Sequence, residues 1–284
     1  MTEYAKTSPQ FPDFMLNKAQ DVLTELERKL IDLGASSQNH ISLLDTHKQN
    51  ILFTFCCSDF VSRIALQYPN AFLVALSSLT AQTTPSNPEQ DAADYLDALS
   101  VQFSHSIQQQ PEEAEALKLI RQFRHLSMLC IAWCDFNQSH SVESSLMRVS
   151  QLANTIICEA YRYTYQHHVK RYGPPKDDQQ MLILGMGKLG GQELNFSSDI
   201  DLVFTYPSSG YTQHERKPVE HQVFFTKLAQ KLILLLDKVT QDGQAYRVDM
   251  RLRPSGDSGP LVLPFTAFEN YYQEQGRQWE RFAM

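Results

Sequence analysis

The stretch GMGKLGGQELNFSSDIDLVFTYP, residues 185–207, sets Asp199 and Asp201 on either side of one isoleucine in a segment that otherwise reads as core. Residues 199–206 are a short apolar run closed by Pro207, the pattern of a strand. Alternate strand side chains share a face, so Asp199, Asp201 and Val203 are predicted to point one way and Ile200, Leu202 and Phe204 into the core. Two carboxylates so close repel each other, and both are costly beside an apolar sheet unless a cation lies between them. A hard ion such as Mg²⁺ or Mn²⁺ takes carboxylate oxygens and keeps phosphate oxygens as further ligands, so the pair implies a metal.

Just upstream, Gly185, Gly187, Gly190 and Gly191 surround Lys188. Glycines tolerate positive φ and close backbone approach, so main-chain N–H groups there can converge on an anion with the lysine adding charge, which makes the segment a candidate phosphate cradle. The order G-x-x-x-x-G-K-[ST] is absent, and G-x-G-x-x-G is met only by spacing, without the βαβ surroundings that a dinucleotide site needs. Downstream, AYRVDMRLRP (245–254) alternates like a strand until its proline, placing Asp249, Arg251 and Arg253 on one face opposite Val248, Met250 and Leu252. Asp249 can complete the metal site and a guanidinium can grip phosphate oxygens. Taken alone, the same residues describe a solvated strand face with ordinary salt bridges.

These residues need a scaffold. Helical periodicity runs through most of the first 170 residues. Asp13 is the expected cap of a helix bearing Leu16, Ala19, Leu23, Leu26, Leu30 and Leu33, with Gly34 closing it. Ser58 is the expected cap of an apolar stretch continuing past Pro69 to Leu79. After a linker at 82–88 come predicted helices over 92–103, 111–135 and 142–169, whose apolar stripes read as helix-on-helix core. RYGPPKDDQQ (171–180) breaks the period and marks the expected boundary between a helical region, 1–175, and a mixed α and β core, 176–284. In that core, strands at 181–185 and 199–206 and a helix over 219–239 precede the strand at 245–254.

Composition narrows the function. The 284 residues carry 25 Lys plus Arg against 32 Asp plus Glu, a formal charge of −7, which argues against a broad grip on nucleic acid. No run approaches about 18 apolar residues and the N-terminus has no leader pattern, so no membrane partner is expected and a cytoplasmic location is. Cys56, Cys57, Cys130, Cys134 and Cys158 lack CxxC pairing and read as reduced core residues, and no His or Cys pair follows to make a zinc site with Cys130 and Cys134.

A glycine-rich turn, D-x-D on a strand and a later strand acid together resemble the nucleotidyltransferases related to DNA polymerase β. More closely, LGMGKLGGQELNFSSDIDLVF with TQDGQAYRVDMRLRPSGDSGPLVLPFTAFENYYQEQGRQWERFAM resembles the family of bifunctional glutamine synthetase adenylyltransferase/adenylyl-removing enzymes. The likeness is strong over 181–284 and weaker from Ser58 to Val169. LNFSSDIDL looks like that family's N-terminal, adenylyl-removing copy of the transferase domain. The resemblance implies an α+β fold in which a helical N-terminal region packs on a polymerase-β-like core with a small mixed sheet. It implies that Asp199, Asp201 and Asp249 are catalytic and hold Mg²⁺ or Mn²⁺. Gly187, Lys188, Gly190, Gly191 and Ser198, with Arg251 and Arg253, would contact the phosphates of a nucleotide, ADP, ATP or AMP. The implied reaction is phosphorolysis of adenylyl-tyrosine on glutamine synthetase to give ADP, with the PII signal protein and glutamine as regulators of the longer family protein.

Two departures stand out. The family continues where this sequence stops at Met284, so the core is expected to be truncated at its C-terminus and to lack the adenylylating domain. The helix RHLSMLCIAWCDF carries Leu126, Ser127 and Cys134 where relatives tend to be more charged. Two other readings stay open: a nucleotide- or partner-binding fragment without turnover, and a nucleotidyltransferase with another acceptor.

Overall fold

The computed structural model describes residues 11–34, 38–80, 88–137, 141–276 and 278. They fall into two compact units, one of residues 1–96 and 125–141, the other of 97–124 and 142–284. The composition break at 171–180 lies inside the second unit. Most of the predicted linker, 82–87, lies outside the described residues.

The first unit is helical. Its helices are α1 (Asp13–Asp32), α2 (Gln38–Thr46), α3 (Lys48–Cys57), α4 (Asp59–Gln67) and α5 (Pro69–Thr80), followed by the start of α6 (Pro88–Gln108) and the end of α7 (Glu113–Phe136). Ala19, Leu23, Leu26 and Leu30 are the buried stripe of α1. The helix stops before Gly34, whose φ of 71° an L side chain resists. Asp13 is the first helical residue rather than its cap: Pro12 holds the cap position and makes no side-chain bond there. Ser58 caps α4 as expected, its Oγ accepting from the Val61 N–H at 3.3 Å. The stretch read as one apolar element is two helices, broken at Tyr68, because proline is favoured at a first helical position and Pro69 opens α5. All five cysteines are free, but only Cys56, Cys130 and Cys134 are buried; Cys57 and Cys158 sit on exposed helical positions, against the expectation that all were core.

The second unit is α+β. The end of α6, the start of α7 and all of α8 (Val142–Tyr172) accompany β1 (Leu182–Met186), the single turn α9 (Gly187–Gly190), β2 (Ile200–Tyr206), α10 (His221–Asp237), β3 (Val248–Asp249), β4 (Val262–Pro264) and α11 (Phe265–Glu274). β1 is antiparallel to β2, with Met186 opposite Asp201. On the other edge of β2, β3 and then β4 pair with it in parallel, Asp201 opposite Asp249 and Phe204 opposite Val262. Both faces of β2 are covered, so Val203 does not share solvent with Asp201 as the alternation suggests. Tyr206 stacks on Phe225 of α10, with centroids 4.8 Å apart, while Val203 joins Met186 and Phe268 in a cluster on the opposite face. Among the described residues no helix is long and apolar enough to cross a membrane.

Candidate active site

The strand carrying Asp249 is shorter than its alternating sequence suggests. It ends at Asp249, because that carboxylate turns back on its own chain: Oδ1 accepts from the Arg251 N–H at 2.8 Å. Arg253 then donates its N–H to the Met250 carbonyl at 3.2 Å, closing a turn. The predicted common face of Asp249, Arg251 and Arg253 is therefore absent. Arg251 folds over Asp249, with Nε 2.8 Å from Oδ2. Arg253 has a largely buried side chain that reaches Met250 O at 2.7 Å and Asp257 at 3.3 Å.

Asp201 and Asp249 do meet. Parallel pairing sets their Cα atoms in register, and like-positioned residues of adjacent strands project to the same face. Asp199 lies just before β2 and bonds the Arg247 guanidinium. Asp201 alone of the three makes no salt bridge. Burial first, then the charges of Asp249 and Asp199, push its carboxyl above the usual range. The side-chain bond from Arg251 holds Asp249 below that range. Like charges thus converge on one half-buried carboxyl that the Arg251 guanidinium offsets only in part.

The glycine turn abuts this carboxyl. β1 runs into Gly187, where φ is 54°, and a Cβ built there would stand 3.2 Å from Asp201 Oδ2. A Cβ on Gly190 would meet the Gly185 carbonyl oxygen at 2.6 Å, so only glycine fits. Of the four glycines only Gly187 uses positive φ. Gly191 adds no free N–H to the cradle, since its own donates to the Gly187 carbonyl at 3.0 Å. Lys188 is exposed on the turn, and Ser198 Oγ donates to Asn195 Oδ1, tying the loop that enters β2.

A resident metal must be judged on these donors. Among the described residues no three His, Cys, Asp or Glu side chains are grouped so as to hold an ion as they lie. The cause is local: Arg247 draws Asp199 aside and Arg251 draws Asp249. The donor set itself, the hard carboxylates of Asp201 and of Asp249 in register with it, beside a turn where a Cβ at Gly187 would stand 3.2 Å from Asp201, fits a hard divalent cation.

Supporting residues went unnoticed in the sequence. Asp237, closing α10, accepts the Val248 N–H at 3.1 Å through its carboxylate, and so fixes β3. Arg247 stands two residues before Asp249, a strand-period signal that could have flagged it. Arg121 is fully buried on α7 and donates to the carbonyls of Gly243 at 2.9 Å, Leu117 at 2.8 Å, Leu235 at 3.2 Å and Lys238. No spacing rule singles out an arginine that serves carbonyls more than a hundred residues away.

Comparison with known proteins bears on this arrangement. Residues 49–284 match the family model described as glutamate-ammonia ligase adenylyltransferase. Three similar proteins are each named bifunctional glutamine synthetase adenylyltransferase/adenylyl-removing enzyme. The one from Mannheimia succiniciproducens is 42% identical over 97% of this chain and 28% of its own length. That from Idiomarina loihiensis is 44% identical over 86% of this chain and 25% of its own. That from Alteromonas mediterranea reaches 58% over 61% of this chain and 18% of its own. The chain thus matches between 18% and 28% of the length of these relatives. With a family match running from residue 49 to residue 284, the chain belongs to the glutamate-ammonia ligase adenylyltransferase family.

Proposed function

We propose that the second unit is a metal-dependent nucleotidyltransferase that removes AMP from adenylyl-tyrosine on glutamine synthetase by phosphorolysis. The observation that carries this reading is the charge gathered on Asp201, in register with Asp249 and beside the Gly187–Gly190 turn. Asp199, Asp201 and Asp249 would hold Mg²⁺ or Mn²⁺. When bound, such ions neutralise the charge that develops on phosphoryl oxygens during in-line transfer.

The protein's own groups supply alignment and exclusion. The turn at Gly187 and Gly190, with Lys188 exposed on it, would seat the nucleotide phosphates close to backbone that carries no side chain of its own, with Ser198 and Arg251 as further phosphate contacts. Inorganic phosphate would form a new oxygen–phosphorus bond as the tyrosyl oxygen–phosphorus bond breaks. The tyrosyl oxygen leaves with the electron pair and takes up a proton, and ADP is the other product. No protein nucleophile is required, because positioning and charge stabilisation supply most of the rate. The same reading places the chain in the cytoplasm, with glutamine synthetase as partner and PII as a regulator of the longer relatives.

The test is ADP formation from adenylylated glutamine synthetase and phosphate with Mg²⁺ or Mn²⁺ present. Asp201→Asn is expected to lower the rate at least about a thousandfold, the scale of losing an essential electrostatic group. Equal rates for the two proteins would sink the enzymatic reading. A second reading is favoured by the arginine pairs on Asp199 and Asp249: a chain that binds nucleotide without turnover. It predicts nucleotide binding to the wild type with no ADP formed.

A further inference from the structure

Within the second unit, away from the three aspartates, the start of α7, the last third of α8 and the middle of α10 border an open-sided cavity of about 630 Å³. That volume suits a small-molecule site. None of Asp199, Asp201 and Asp249 lines it, and no activity proposed above uses it.

Its charge is unusual for a chain of net −7. Three permanent cations line it, Arg171, Lys227 and Lys231, against Glu112 and Glu113. Lys231 is paired with Glu113, and Glu112 is exposed. Among the described residues Arg171 and Lys227 have no carboxylate in salt-bridge range. Instead both lie over the ring of Tyr172, the guanidinium 5.2 Å and the ammonium 5.0 Å from its centroid. Both cations are exposed, so an anion that reached the two would replace solvent as their partner. His167 and His168 line the same cavity. Burial, foremost, and neighbouring cations lower both imidazoles, so Arg171 and Lys227 are the positive charges that stand against the carboxylate of Glu112.

We propose that this cavity binds a dianionic phosphate, free or carried on a small monoester. Two cations lining one cavity offer two charges to one group, and charge-assisted bonds to phosphate are the strong kind. The rings of Tyr163 and Tyr172 and the imidazoles give a flat organic substituent a surface to lie on. The inference is independent of the reaction proposed at the aspartates.

The test is binding to the whole chain with EDTA present, followed through the imidazole proton resonances of His167 and His168. Inorganic phosphate is the probe in one arm and adenosine monophosphate in the other. Saturable shifts are expected in the wild type and equally in Asp201→Asn. Arg171→Ala/Lys227→Ala should weaken them at least about tenfold, and the charge-keeping Arg171→Lys/Lys227→Arg should largely restore them. Tighter binding of the monophosphate assigns the site to an ester, and equal binding to the free ion. The proposal is overturned if the double-alanine variant binds like the wild type. Loss of binding in Asp201→Asn, or no saturable shift below about 10 mM in the wild type, would overturn it as well.

Discussion

Asp201 holds the charge that its surroundings do least to neutralise, and that gives it a thermodynamic signature separate from activity. Its folded-state pKa is raised, so its favourable contribution is full below the unfolded value and is lost as pH rises through the folded one. Asp249 runs the other way: its pKa is lowered, chiefly by Arg251, so its contribution is present above the unfolded value and fades as pH falls. Asp201→Asn is therefore expected to raise the melting temperature of the metal-free protein at neutral pH, where the wild-type carboxyl is ionised, and leave the acid limb due to Asp249 in place. The gain should stay below about 1 kcal/mol, because the carboxyl is partly exposed and screened. Mg²⁺ or Mn²⁺ should stabilise the wild type and not the variant, which calorimetry with and without EDTA would show. A variant less stable than the wild type at pH 7 would mean that the charge is not frustrated. The D-x-D was readable because strand period alone decides which residues share a face. The fate of Arg251 was not, because a carboxylate that captures the N–H two residues on ends the strand, and alternation carries no trace of that competition.

At the scale of elements, the glycine turn and the strand of Asp249 are held by different means, and each gives a contrast. Gly190→Ala forces a Cβ to within 2.6 Å of the Gly185 carbonyl, backbone against backbone, and should cost about 1–3 kcal/mol. Gly191→Ala, one residue on, meets nothing nearer than 3.6 Å and sits at an ordinary φ of −78°, so it should change stability by less than about 1 kcal/mol. Urea denaturation of the pair separates a packing requirement from generic turn flexibility, since flexibility alone would make the two alike. The sequence offered four glycines as equals; which of them is sterically bound depends on how close β1 returns to α9. Arg121 is the stronger case. It ties α7 to the end of α10 and to Gly243, in the segment that leads into β3. Arg121→Met should destabilise by at least about 3 kcal/mol, because it strands buried carbonyls without donors. An exposed guanidinium such as that of Arg216 has no such network, and Arg216→Met should change denaturation midpoints little.

For the whole molecule, the question is which length of chain folds around the site. The Gly-Pro-Pro segment near 173–175 is a sound sequence signal for a turn, yet the ties of the second unit cross it. Ser150 Oγ accepts the Leu194 N–H at 3.0 Å, and the Tyr161 hydroxyl accepts that of Met181 at 3.0 Å, both from α8 to the sheet segment. Phe224 of α10 meets Tyr165 and His168 of α8 edge-on, with centroids 6.2 and 5.9 Å away. Arg121 adds its bonds from α7. Residues 176–284 alone would expose the buried Phe224 and leave the Leu235 and Gly243 carbonyls without their guanidinium. Such a piece has apolar surface and unpaired polar groups to cover at once, and its marginal core cannot offset both. We therefore expect residues 176–284, expressed alone, to show no cooperative urea transition and poorly dispersed amide resonances, whereas the 284-residue chain unfolds cooperatively. A sharp transition and native-like dispersion in the short piece would mean that α7 and α8 only decorate a self-sufficient core, and would restore 175 as a folding boundary.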